Sequence, residues 1–164
     1  MRTIIHDFKE DSLKKINFYD DDIVINSRDV TKGCIGCFSC WVKHPKVCIH
    51  NDSIREIVDN IKNSDELIII SECRYGCYSS YVKRVLERCI GYVLPFFTIR
   101  DNMIHHKSRY DKKIRFNTYF YGDISNWDKI CLRELVRANA INLEAMDYRV
   151  NFISNIKELS ECIR

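Results

Sequence analysis

The sequence predicts a doubly wound α/β domain. Five parallel strands are expected in the order 2-1-3-4-5, with helices on both faces in a three-layer sandwich. Three observations carry this. Apolar runs of strand length alternate with amphipathic helical patterns along the chain, the signature of a parallel sheet with crossover helices. The run ELIIIS is continuously apolar, as a strand covered on both sides must be. The length of 164 residues suits one such domain, residues 1–164, with a single sizeable core.

Taken in order, residues 2–7 (RTIIHD) read as the first strand and residues 10–16 as one or two helical turns. Residues 22–25 (DIVI) read as a second strand behind the acidic cluster 20–22. A helix follows, opened by a capping box of Ser53 and Glu56 and carrying Ile54, Ile57, Val58 and Ile61 on one face. Residues 67–70 make the third strand. The next helix places Val82, Val85, Leu86 and Cys89 together and is expected to stop at Gly91. Residues 92–112 read as irregular, a length that points to a functional or interface segment. Residues 114–121 (IRFNTYFY) form the fourth strand. Ser125 caps a long helix bearing Trp127, Ile130, Cys131, Leu135, Ala138 and Ile141. Residues 149–153 and 154–162 close the chain as strand and helix. Trp127 reads as packing.

Composition excludes several classes. A net charge of +3 and a pI near 8.3 are too mild for nucleic-acid binding, with acidic and basic residues interleaved. No apolar run approaches the roughly 20 residues of a membrane helix. Asp7, Glu10 and Asp11 stand where a signal peptide needs apolar residues, so a cytoplasmic protein is expected. The nine cysteines there are expected to be thiols, metal ligands or redox groups. No paired carboxylates, Ser-His-Asp arrangement or Walker loop is identifiable, which leaves a hydrolase or kinase without support.

Four cysteines crowd residues 33–52, GCIGCFSCWVKHPKVCIHND, at the spacing C-x₂-C-x₂-C-x₇-C: Cys34, Cys37, Cys40 and Cys48. Thiolates so spaced suit an iron–sulfur cluster, because a turn aims alternate sulfurs at one centre. Zinc completed by His44 or His50, a redox disulfide and packed thiols are the alternatives. A second loop, residues 71–80, contains Cys73 and Cys77 beside Arg74, surroundings that would depress a thiol pKa. Ser79 or Ser80 is expected to cap the helix behind it. A third stretch, with His105, His106, Lys107, Arg109, Tyr110 and Lys112, is basic and aromatic. It suits a nicotinamide phosphate, a partner subunit or a solvated loop.

CIGCFSCW with Cys48 and Asp52, then RYGCYSSYVKRVLER, GYVLPFFTIRDN, HHKSRYDKK and YFYGDIS, resembles the NADPH-dependent FMN reductase and multimeric flavodoxin family from Cys34 to about Phe152. The cysteine spacing is also similar to that of iron–sulfur flavoproteins on the same fold. The resemblance implies a flavodoxin-like fold, FMN as cofactor, and electron transfer from a reduced nicotinamide to a small-molecule or protein acceptor. It also implies a homo-oligomer, with residues 92–112 as the arm. In that scheme Tyr75, Gly76, Cys77, Tyr78 and Ser79 contact the isoalloxazine, Trp41 covers it, and Arg74 anchors a phosphate or nicotinamide. The iron–sulfur variant adds a [4Fe–4S] cluster on Cys34, Cys37, Cys40 and Cys48. One departure stands out. The family's phosphate loop after strand one is replaced by His6, Asp7, Phe8, Lys9, Glu10 and Asp11, which has no glycine and three carboxylates. A flavodoxin-like module that has lost its flavin is therefore the third reading.

Overall fold

In a computed structural model, residues 1–9, 16, 18–100, 102–154, 158–159 and 163 are described. The central sheet has five parallel strands: β1 (Arg2–His6), β2 (Ile23–Asn26), β3 (Glu66–Glu72), β6 (Arg115–Tyr121) and β7 (Asp147–Phe152). Their spatial order is β2-β1-β3-β6-β7, which is 2-1-3-4-5 when the sheet strands alone are counted. The helices are α1 (Ser39–Val42), α2 (Ile57–Asn63), α3 (Ser80–Glu87) and α4 (Asn126–Leu143). Strands β4 (Val93–Arg100) and β5 (Met103–Ser108) form a separate two-stranded ribbon.

Alternation along the strands explains the layers. In β3, Leu67 and Ile69 join a core with Ile57, Val58, Ile61, Val82, Val85, Leu132 and Val136, beneath α2, α3 and α4. Ile68 and Ile70 face the other way, with Ile4, Phe8 and Tyr119. A strand buried on both sides has to be apolar throughout, as this one is.

Four local expectations change. The box at Ser53 and Glu56 does not form: α2 begins at Ile57 and its N-cap Glu56 makes no side-chain cap. The backbone there is already committed, Arg55 accepting from the Cys48 N–H at 3.0 Å and donating to Asp52 O at 3.0 Å. Gly91 is not the stop of α3, which ends at Glu87 with Arg88 as C-cap. Gly91 instead lets the cysteine loop come close, since a Cβ there would lie 3.0 Å from Cys40 O and 3.2 Å from Lys46 Cα. The stretch expected to be irregular is the β4–β5 ribbon, turned through Asn102 at φ 60°. Pro95 masks it in the sequence, yet both ribbon edges are open and the register shifts between Val93 and Phe97, where a proline is tolerated. On α4 the buried face is Leu132, Val136 and Ala140, while Trp127 and Ile130 point outward, 71% and 52% exposed. The short helix expected at residues 10–16, and most of the one at 154–162, lie outside the described residues. Among those described, no helix is long and apolar enough to cross a membrane.

Candidate active site

The parallel sheet directs the loops after β1, β3 and β6 to one edge, the place where a sheet of this order opens a ligand crevice. Asp7, the first residue past β1, is fully buried. Its carboxylate accepts the Glu72 N–H through both oxygens, at 3.2 and 3.1 Å, and the Tyr121 hydroxyl at 2.8 Å. Cys73 N–H donates to Tyr121 O at 2.9 Å, so the three strand ends are tied together. Burial, then the Asp7 charge, pushes the Tyr121 phenol far above its ordinary range, which keeps it a donor. His6 is buried beside it, and its Nδ1 accepts the Phe8 N–H at 3.2 Å. Burial lowers its pKa to about 4, against a smaller opposing pull from Asp29. The ring is neutral at physiological pH.

The loop after β3 is a two-residue turn. Arg74 and Cys77 form an antiparallel bridge with N–H···O contacts of 2.9 and 3.1 Å. Tyr75 and Gly76 between them have φ of 53° and 66°, the left-handed pair a tight hairpin turn demands. Gly76 has a second reason to be glycine: a Cβ would stand 2.8 Å from Cys131 Cβ on α4. The turn therefore rests its glycine on the helix and presents Tyr75 entirely to solvent. Arg74 lies at the rim, paired with Glu72 at 2.8 Å. Behind the turn, the Ser79 N–H donates to Ser71 Oγ at 2.9 Å, and Ser79 Oγ caps α3 by accepting from Val82 N–H, as its position predicts. Tyr78 turns inward onto Phe120, with its hydroxyl accepting from Asn139 at 3.2 Å. The Cys73 thiol is buried and raised by that burial, which suits an inert packed thiol and not an activated one.

The second region is the cysteine loop. Cys34 and Cys37 are exposed and Cys40 and Cys48 buried, and all four border one small cavity with Arg88. Burial raises the Cys40 thiol, and the other three cysteines add to the rise. The expected [4Fe–4S] cluster on Cys34, Cys37, Cys40 and Cys48 is not supported. Among the described residues, no group of three or more His, Cys, Asp or Glu side chains has a geometry that could hold a metal ion. The physical reason is division of the set: Cys34 and Cys37 lie exposed on the outer turn, while Cys40 and Cys48 are buried as small apolar groups. The strong charge here belongs to Arg88. Its side chain is fully buried and clamps Asp52 at 2.6 and 2.7 Å.

Trp41, the residue expected to cover a flavin, lies on the ribbon side. Its Nε1 donates to Val93 O at 2.8 Å, and its ring packs against Phe38 and His106. The site residues thus fall into two groups, Arg74 to Ser79 at the crevice and Trp41 with the cysteines beside the ribbon. Two cations of the basic stretch have internal partners. Arg109 donates to Gly91 O, Trp41 O and Val93 O, and Lys112 pairs with Asp65 at 3.0 Å. Sequence reasoning missed Tyr121 and Arg28 as crevice residues. Their only signal was position immediately after, or at the end of, a predicted strand.

No protein-family model matches the sequence, and no curated protein matches it. Solved structures do resemble it. An NAD(P)H:quinone oxidoreductase from Methanothermobacter marburgensis superimposes with a TM-score of 0.60 at 9% identity, over 99% of this chain and 94% of that one. An NADH:FMN oxidoreductase in its apo form gives 0.55 at 12%, over 93% and 74%. An FMN-dependent NADH-azoreductase from Bacillus anthracis str. Ames Ancestor, in complex with FMN, gives 0.54 at 13%, over 99% and 93%. At such identities the likeness establishes the fold. The chain has a flavodoxin-like α/β fold, the architecture of these flavin and nicotinamide oxidoreductases.

Proposed function

We infer that the protein is an FMN-dependent oxidoreductase, taking electrons from reduced nicotinamide and passing them to a small-molecule or protein acceptor. The observation that carries this reading is the convergence of three strand-end loops on one crevice with the Tyr75–Gly76 turn standing free at its rim. The structural neighbours support it, their printed names being those of NADH, NAD(P)H and FMN oxidoreductases.

A flavin bound there would supply the hydride and electron chemistry. The chain's own contribution is binding and orientation. Tyr75 offers an exposed aromatic face to a flat ring, while the Cys77 N–H and C=O, both committed to the bridge with Arg74, brace the turn that presents it. Tyr78 and Ser79 hold the turn from behind, and Gly76 fixes its distance from α4. The ring end of FMN fits this crevice. The phosphate end does not fit the usual place after β1, where the buried Asp7 carboxylate already takes the Glu72 N–H.

That same carboxylate favours a second reading, a flavodoxin-like module without flavin. The eight described cysteines are all free thiols, which supports a cytoplasmic location. Phe96, Phe97, Ile99 and Ile104 on the ribbon, 63% to 74% exposed, support a homo-oligomer built on that arm. The experiment is reconstitution with FMN followed by gel filtration. A retained yellow chromophore that bleaches on adding NADH or NADPH is expected. A protein that elutes colourless from saturating FMN ends the oxidoreductase reading and leaves the module.

A further inference from the structure

The crevice has a compartment on its β2 side, a cavity of about 430 Å³ lined by Lys9, Arg28, Glu72, Arg74, Ser80 and Tyr81, with Ser79 behind them. Its three cations arrive on three separate loops, following β1, β2 and β3 in turn. Arg28 is the best fixed. Its backbone N–H donates to Asn26 Oδ1 at 3.1 Å and its Nε donates to the Asp7 carbonyl. Its guanidinium lies 4.5 Å over the Tyr81 ring, which Arg84 approaches at 5.9 Å. A guanidinium carries five N–H donors, and the bond to Asp7 commits only Nε. Arg74 is shared with Glu72, the one carboxylate among the described residues that line the cavity. The Asp7 carboxylate does not compete, being turned inward onto Glu72 N–H and the Tyr121 hydroxyl. The N-terminus of α3, at Ser79 to Tyr81, opens on the same space and adds its dipole.

Three cations against one carboxylate among the described residues, in a concavity next to the crevice, make a receptor for a compact dianion. We propose that this cavity is a phosphate seat. It takes the phosphomonoester of a bound nucleotide on side-chain cations, Lys9 of the loop after β1 among them, and not at Asp7, whose carboxylate is turned inward. The identity of the nucleotide rests on the oxidoreductase reading, whereas the anion preference does not. Two sources carry the same group, the 5′-phosphate of FMN and the 2′-phosphate of NADPH.

The test uses the full chain with its arginine side chains labelled with ¹⁵N. Pyrophosphate is titrated in while the Nε–H signal of Arg28 is followed. Affinities are then measured for FMN against riboflavin and for NADPH against NADH. A saturable shift of the Arg28 signal is expected, with one of the two pairs favouring its phosphorylated member by about tenfold or more. Which pair discriminates names the source. In Lys9→Met and Arg28→Met that ratio falls toward one, while affinity for the partner lacking the phosphate changes by less than about twofold. Lys9 is exposed, so its variant retains the fold even if the Arg28 variant does not. A pyrophosphate shift in a protein that binds neither flavin upholds the seat and ends the flavin reading. An Arg28 signal indifferent to pyrophosphate, with both ratios below about two, overturns the seat even if flavin binds.

Discussion

The strand-end crevice and the cysteine loop handle charge in opposite ways. In the cysteine loop the principal cation, Arg88, is sealed from water and spent on a single carboxylate, Asp52, with a third contact to Lys32 O at 3.3 Å. Of its donors only the buried Nε is left without a hydrogen-bond partner. In the crevice only the central carboxylate, Asp7, is sealed, and Lys9, Arg28 and Arg74 remain around a cavity. One region uses ionic chemistry to hold a long loop against the body. The other keeps its cations available. Under the proposed reading, the placement of loops at strand ends is a better guide to the site than the density of reactive residue types.

The largest expected effect tests the closed half of that contrast. Removing Asp52 strands a fully buried guanidinium, and Asp52→Ala is expected to cost about 3–5 kcal/mol in urea denaturation. Arg88→Met costs less, because the Asp52 carboxylate it leaves behind keeps 24% exposure and can hydrate. Equal losses would show the pair to be no more than a surface bridge. The Arg88 hydrogen bonds hold the Asp52 pKa below the ordinary 3.8. A group depressed on folding stabilises above its unfolded pKa, so this contribution is complete above about pH 4 and fades as pH falls through the folded value.

His6 gives the crevice its own pH signature, in a higher window. Its pKa of about 4 in the fold lies below the unfolded 6.5. The unfolded chain therefore binds the extra proton first, and stability rises with pH across the interval from 4 to 6.5. The full gain is about 3 kcal/mol at most, complete above pH 6.5. In His6→Gln that slope disappears while the one below pH 4 persists. A variant that keeps the slope would mean that the imidazole is not the group titrating.

Gly76→Ala is expected to cost about 1–3 kcal/mol, from a left-handed φ of 66° and a 2.8 Å approach to Cys131 Cβ. It should also weaken flavin binding, since the turn must lift off α4. Thermal unfolding and flavin titration measure the two effects. A loss of stability with flavin affinity untouched would remove the turn from the site.

What the sequence revealed follows from which interactions are local. The parallel order, the β3 core strand and the Ser125 cap were legible because periodicity and capping are properties of neighbouring residues; the cap forms as a full box with Asp128. The placement of Tyr75 to Ser79 at a strand end was legible for the same reason. The Ser53–Glu56 box satisfied its local pattern and still failed, because Cys48, some residues away, takes the Arg55 carbonyl. Asp7 was visible as an obstacle to phosphate, but its partners, Glu72 N–H and Tyr121, lie 65 and 114 residues away. The Arg28–Tyr81 stack and the sealed Arg88–Asp52 pair are likewise contacts between distant segments that no spacing rule predicts. The ribbon was hidden by Pro95, whose meaning depends on whether a strand edge is free.

The smallest effect bears on the cysteines themselves. Cys34 and Cys37 stand on the outer turn, with Gly36 and Phe38 beside them at left-handed φ of 67° and 54°. The turn conformation is thus set by backbone geometry at those two positions, and nothing in it requires a sulfur. Cys34→Ser and Cys37→Ser should each change stability by no more than about 0.5 kcal/mol and leave flavin affinity where it was. Cys40 and Cys48 are packed inward, and their serine variants should cost more, since each places a hydroxyl where a thiol fills apolar space. If an exposed serine variant instead lost more than about 1 kcal/mol, all four sulfurs would be acting as a unit, and the contrast between a sealed structural loop and an open chemical crevice would have to be redrawn.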